Sequence, residues 1–260
     1  MKLKLIAAAA ALALSGAANA AIDTGTDGSG DFFLTMWDGA NSYTVDLNLQ
    51  MSDFTSGVAA PGSFSFSLNL AADAVFASFI STANLANMVW NLSAVESQGA
   101  RTLIQTYSDL PASGIPNSDA RTMVAGVQSF ASAVNTGIAA QGNTDSAVFA
   151  NGETGYANNT TGVRFGNNNA GLLNFNNTGS FANNSYAAGL NLVSMAIATT
   201  GIAPAIYSPL GDAGTALRAY IGPDYTLHIT AAVPEPETYA MLLAGLGLMG
   251  AIARRRRQQG

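Results

Sequence analysis

Three carboxylates spaced four residues apart, Asp23, Asp27 and Asp31, stand among glycines in DTGTDGSGD. Oxygen ligands at such spacing could wrap a calcium ion, although the helix-loop-helix calcium spacing is not met. Near a mature N-terminus the stretch reads instead as a flexible polar leader, with calcium as the alternative. His228 is the only histidine and there is no cysteine, so the usual zinc ligand sets and a thiolate nucleophile have no residues to form from. It falls on the polar phase of YTLHIT, as an exposed strand residue would. No G-x-S-x-G elbow for a hydrolase occurs. Acids are numerous enough for a glycosidase-like carboxylate pair, yet nothing in their spacing singles out two. The expectation is therefore no catalytic residue, no metal and no cofactor, with a carboxylate-dependent polysaccharide-processing enzyme as the least favoured alternative.

An aromatic-small-Asn-Asn unit recurs irregularly between residues 151 and 186: Tyr156-Ala-Asn-Asn159, Phe165-Gly-Asn-Asn168 and Phe181-Ala-Asn-Asn184. Asn and Gly tolerate left-handed backbone, so the tract reads as turns whose aromatics pin a long loop to the core. Two functional readings stand beside this one. Tyr156, Phe165 and Phe181 with their amides suit sugar rings, giving a glycan-binding surface; Asn-rich tracts with spaced aromatics also self-associate. Sequons such as Asn91-Leu-Ser93 arise readily in so Asn-rich a chain and carry little weight.

The elements that must carry these residues read mostly as β. Strict alternation marks Tyr43 to Gln50 and Phe64 to Leu70, and Asp31 to Met36 precedes the first of these across an Asp38-Gly39 turn signal. Met88 to Glu96, Arg101 to Tyr107, Leu190 to Thr199, Ala203 to Tyr207 and Tyr225 to Thr230 are further predicted strands. Met123, Val127, Phe130, Val134 and Ile138 recur at three and four, one helical stripe opened by Pro116 and Ser118 and closed by Gly137 with Gly142. A weaker helix is predicted through Ala71 to Thr82. The fold class is mainly β with minor α (α+β): antiparallel sheets, for which a sandwich is one arrangement, with one or two helices, plus a C-terminal transmembrane helix.

The ends are patterned differently. Lys2 and Lys4 precede the apolar run Leu5 to Leu14, and Ala18-Asn19-Ala20 offers small residues where a signal peptidase requires them, so cleavage is expected after Ala20. At the other end, Thr238 to Ala253 carries no charge and is bounded by Arg254, Arg255, Arg256 and Arg257. As a helix it would reach about 24 Å, short of a ~30 Å hydrocarbon core, and snorkelling arginines held on the cytoplasmic side would complete the span. Pro234 and Pro236 hold Val233 to Glu237 extended, the form a protease cleft accepts. Gly245 to Gly250 matches G-x-G-x-x-G, but it lacks a preceding strand and is no dinucleotide site. Small residues four apart, Ala240 with Ala244 and Gly247 with Ala251, would let another membrane helix approach closely.

Pro234-Glu235-Pro236, a short apolar span and a basic cluster, in that order, resemble the PEP-CTERM sorting signal of bacterial surface proteins. The resemblance implies recognition by an exosortase, a membrane-embedded cysteine transpeptidase that cuts near the motif. It also implies a setting of exopolysaccharide production in Gram-negative bacteria. The expected organisation is a signal peptide (1–20), an exported β-rich body (21–232) and a sorting tail (233–257) with a membrane helix at 238–253. The expected partners are signal peptidase, an exosortase-type enzyme, the inner membrane before processing, and exopolysaccharide. The body would be held in the periplasm before release to the outer surface or matrix.

Composition bears on the remaining partners. Of the 10 basic residues only Arg101, Arg121, Arg164 and Arg218 fall in the body, whereas all 16 acids except Glu235 and Glu237 do. The body's balance is thus about −10, against −6 for the whole chain. A phosphate backbone needs Lys and Arg to neutralise it, so nucleic acid is not expected as a partner.

Overall fold

The computed structural model describes residues 21–26, 29–59, 64–98, 101–108, 115–157, 178–182, 184–198, 204–212 and 215–231. The expected signal peptide, Phe165 and the whole sorting tail lie outside them. Along the chain run β1 (Asp31–Trp37), β2 (Asn41–Gln50), α1 (Met51–Ala59), β3 (Ser65–Asn69), α2 (Ala74–Thr82), β4 (Val89–Glu96), β5 (Arg101–Tyr107) and α3 (Asn117–Ala140). Next are β6 (Ser146–Ala150), β7 (Gly179–Ser180), β8 (Leu190–Ile197), β9 (Ile206–Pro209), β10 (Gly211–Asp212), β11 (Thr215–Ile221) and β12 (Thr226–Ala231).

The protein is mainly β and every pairing among the described strands is antiparallel. A sandwich is not what forms. Hydrogen bonding is continuous through the order β3-β12-β11-β8-β5-β4-β1-β2-β6, with β7, β9 and β10 added on β4, β8 and β11. One sheet therefore curls into a half-barrel, and helices cover it where its own curvature cannot.

The β1–β2 hairpin shows how local chemistry sets register. Gly39 takes φ +97° at the turn. Asp38 Oδ1 accepts the amides of Ala40 (2.9 Å) and Asn41 (2.8 Å), and its Oδ2 accepts that of Asn84 (2.8 Å). Burial raises the Asp38 pKa, but the amides of Asn41, Asn84 and Ala40 outweigh it, so the carboxyl titrates below its ordinary value.

Alternation then sorts the side chains. Phe32, Leu34, Met36, Tyr43, Val45, Leu47, Trp90, Leu92, Ile104, Leu227 and Ile229 fill the inner face, with Phe54 of α1 and Phe76 and Phe79 of α2. Phe76 of α2 meets Tyr43 of β2 (5.3 Å) and Tyr225 before β12 (5.5 Å), bringing the two ends of the sheet together. On the outer face lies α3, its predicted stripe Met123, Val127, Phe130, Val134 and Ile138 buried throughout. Gly142 (φ +70°) ends that helix as expected, whereas Gly137 does not: it is a helical residue whose missing Cβ makes room for the Phe149 ring.

The N-terminal segment departs most from expectation. Instead of a free leader, Ile22 is buried against α3, its amide donating to Asn135 Oδ1 (2.9 Å) and its carbonyl accepting from Asn135 Nδ2 (3.0 Å). Gln128 Nε2 donates to the Thr24 carbonyl (2.8 Å). An apolar residue next to two paired backbone groups can be buried without an orphaned amide, and that makes the docking favourable.

Candidate functional site

The half-barrel is not closed: its terminal strands, β3 and β6, are not paired with one another. At this seam lies a cavity of about 480 Å³, lined on one side by residues of β2 and the turn before β6, and on the other by the end of β3 and the start of α2. Three of its lining residues are acids, Asp46, Asp73 and Asp145, and none is basic.

Each acid is positioned by a different local device. Asp73 caps α2, its Oδ1 accepting the Val75 amide (2.8 Å), while its Oδ2 accepts the Tyr43 hydroxyl proton (2.7 Å). Burial, followed by the charge and hydrogen bond of Asp73, holds that phenol well above its usual value. Asp145 precedes β6, and its carbonyl accepts the Asp46 amide (2.9 Å). Asp46 sits on β2 with 2% of its surface exposed; its Oδ1 accepts the Asn48 amide (2.9 Å) and its Oδ2 is buried without a hydrogen-bond partner. Burial is the main cause pushing the Asp46 carboxyl up to about 7, opposed by the Asn48 amide and aided by the charges of Asp31, Asp145 and Asp23.

The charges acting on Asp46 are those of Asp31, Asp145 and Asp23, whereas Asp73 acts on Tyr43, so the three acids do not form one proton-handling group. Two-carboxylate hydrolysis needs both groups to reach the scissile bond. Here the outer oxygen of Asp46 is closed off from solvent, and Asp73 is occupied by a helix cap and a phenol. Among the described residues no group of three or more His, Cys, Asp or Glu side chains is placed to hold a metal ion. Of the predicted calcium residues, Asp31 Oδ2 accepts the Asp23 amide (3.1 Å) and Asp23 Oδ1 that of Gly25 (2.8 Å), so both shape the docked N-terminal segment; Asp27 lies outside the described residues.

The three aromatics of the Asn-rich tract are not brought together. Tyr156 is 2% exposed within the outer-face core, and its neighbour Ala157 donates its amide to Ser42 Oγ (3.2 Å). Its ring thus pins the start of the tract and has no free face for a sugar. Phe181 is half-buried against the inner core instead, its ring stacked on Tyr225 at 6.0 Å and 20°. Phe165 lies outside the described residues. His228 stacks on Tyr220 (4.8 Å) on the outer side of β12, half-exposed.

Sequence reasoning does not pick out Asp46, Asp73 and Asp145 as a group. One signal is available: Asp46 is the single charged residue in β2, inside a run of alternating apolar residues. Nothing in the sequence pairs it with Asp73 or Asp145, since the seam is made by strands at opposite ends of the sheet.

The chain's destination is written where the sheet ends. β12 closes at Ala231, directly before the segment that carries Pro234-Glu235-Pro236 and the four arginines. Residues 232–257 match the family model of the PEP-CTERM protein-sorting motif, which contains Pro234-Glu235-Pro236 and Arg254 to Arg257. This motif implies export and membrane-associated sorting by exosortase-type machinery of Gram-negative bacteria. No helix among the described residues is long and apolar enough to cross a membrane, and Thr238 to Ala253 lies outside them. No curated protein and no solved structure matches the chain.

Proposed function

We propose that the body is a structural or adhesive component of the cell surface or extracellular matrix, linked to exopolysaccharide and without catalysis of its own. The observation that carries this reading is the sorting motif at 232–257, which begins at the residue after the last strand. Export would start with signal-peptidase cleavage after Ala20. The span 238–253 would then anchor the body outside the inner membrane, with Arg254 to Arg257 on the cytoplasmic side, until an exosortase-type enzyme cuts near Pro234-Glu235-Pro236. The state of the seam acids favours a non-catalytic body, since Asp73 is occupied by a helix cap and a phenol and the unpartnered oxygen of Asp46 is closed off from solvent.

Mass spectrometry of the N- and C-terminal peptides of the protein recovered from cells tests this. The expected mature chain starts at Ala21 and lacks Arg254 to Arg257, and Pro234→Ala with Pro236→Ala accumulates the uncut form in the membrane. Recovery of the intact chain in the cytosol would overturn the proposal.

A second reading, a glycan-binding module, is favoured by the half-buried Phe181 and Tyr225 rings, which stack on one another and line one cleft.

A further inference from the structure

We propose that the cleft between the α2–β4 turn, the residues after β7 and the β11–β12 turn is a contact site for a neutral saccharide unit of a polysaccharide. The inference deepens the second reading above and rests on it, while owing nothing to the sorting tail.

The cleft has a volume of about 360 Å³, within the range of small-ligand sites. Phe181 and Tyr225 form its aromatic part, Leu85, Ile221 and Pro223 its apolar walls, and Asn184 its amide. Leu85 is 44% exposed, one of only two large apolar side chains so exposed among the described residues. Among the described residues no charged side chain lines the cleft. An aromatic face meets the C–H face of a pyranose, and an amide exchanges hydrogen bonds with its hydroxyls. A lining without charge offers nothing to a carboxylate or sulfate, and a body of about −10 repels a polyanion. These features together select a neutral, polyhydroxylated ring.

The Tyr225 backbone carries the argument further. It sits in the β11–β12 turn with φ +61°, a left-handed conformation that Gly or Asn adopts far more cheaply. The turn itself closes without the ring: Gly222 N donates to the Thr226 carbonyl (2.8 Å), Tyr225 N to the Gly222 carbonyl (3.0 Å), and Asp224 Oδ1 accepts the Thr226 amide (3.2 Å). A tyrosine held in this conformation places its ring between the inner core, where it meets Phe76 (5.5 Å) and Phe181 (6.0 Å), and the cleft that it lines.

Tyr225→Gly is accordingly the informative variant, since it relaxes the turn while removing the ring. The full-length chain, purified in detergent, is passed over cellulose, galactomannan and dextran as neutral polymers and alginate as an anionic one. Retention is expected on at least one neutral polymer and not on alginate. Tyr225→Gly and Asn184→Ala should each lower that retention at least tenfold, with the far-UV spectrum unchanged, and Thr136→Ala, on the exposed side of α3, should leave it unchanged. If Tyr225→Gly disturbs folding, Asn184→Ala decides alone.

Absence of retention on all three neutral polymers, equal retention by the variants, or alginate binding as strong as neutral binding overturns the proposal. So does a dimer that forms without polysaccharide and is lost in the same variants, which would make the cleft's occupant a second copy. Correct trimming of the tail in cells whose protein fails these binding tests would leave sorting intact and remove the saccharide reading alone.

Discussion

The two faces of the one sheet are packed by different rules. The inner face is almost wholly apolar, closed by Phe54, Phe76 and Phe79 against Trp90, Leu92 and Ile104. The outer face, under α3, carries buried polar residues in register across the strands. Thr44, Thr35 and Asn91 form one row, linked by a Thr35–Thr44 hydroxyl contact of 3.2 Å, and Asp46, Phe33, Ser93 and Gln105 form the next. Both amide atoms of Asn91 and the Ser93 hydroxyl have no hydrogen-bond partner. The inner face therefore keeps the gain of its apolar burial undiminished. The outer face gives part of its gain back in desolvated polar groups, each costing about 1–3 kcal/mol.

The largest effect should come from the inner face. Trp90→Ala empties a fully buried site and removes the indole N–H donated to the Ser180 carbonyl; a loss of about 3–5 kcal/mol is expected in urea unfolding. A loss no greater than that for an outer-face deletion would end the contrast between the faces.

Next comes pH. The Asp46 carboxyl titrates at about 7 in the folded protein, against about 3.9 unfolded, so the folded state holds the extra proton in between. Stability from this group is fully present below about pH 4, falls as pH rises towards about 7, and is level above it, a span on the order of 4 kcal/mol. Asp46→Asn should flatten that window in melting temperature against pH; an unchanged slope would assign it to another group.

A smaller loss, about 1–2 kcal/mol, is expected for Asn135→Ala, which frees both backbone groups of Ile22. Amide exchange at Ile22 should rise with it, and unaltered protection there would show the segment docks without the clamp. Smallest, and opposite in sign, is Asn91→Leu. Replacing an unpartnered amide by an apolar chain of similar size should gain about 1 kcal/mol. Destabilisation by this change would show that the polar row is satisfied in solution.

Local patterning makes several elements readable. The β1–β2 hairpin, α2, α3 and the strands β3, β4, β5, β8 and β12 stand where alternation, helical spacing and turn residues put them, within a residue or three at their ends. The strand predicted at Ala203 to Tyr207 is displaced, β9 running from Ile206 to Pro209, and five elements escape such patterning: the two-residue β7 and β10, and three longer ones. α1 carries Met51, Phe54 and Val58 at helical spacing, but Ser, Thr and Gly between them weaken the pattern. β6 is five residues long, too short for alternation to speak. β11 does alternate, with Leu217, Ala219 and Ile221 inward and Arg218 and Tyr220 outward, but its small residues dilute the signal. Of the site residues, the tail motif is legible because it is contiguous, whereas the seam acids join positions about a hundred residues apart and the Phe181–Tyr225 cleft, from Leu85 to Tyr225, about 140.

By itself the amino-acid sequence determined the two-residue and 3.6-residue periodicities and the sorting motif, all of which are properties of neighbours along the chain. Tertiary structure alone decided that the strands would join into one curled sheet, that Tyr156 would be buried while Phe181 stayed half-buried, and that Asp46 would lose its solvent. These outcomes depend on which distant strands share hydrogen bonds, and so on burial, which no local pattern of residues contains.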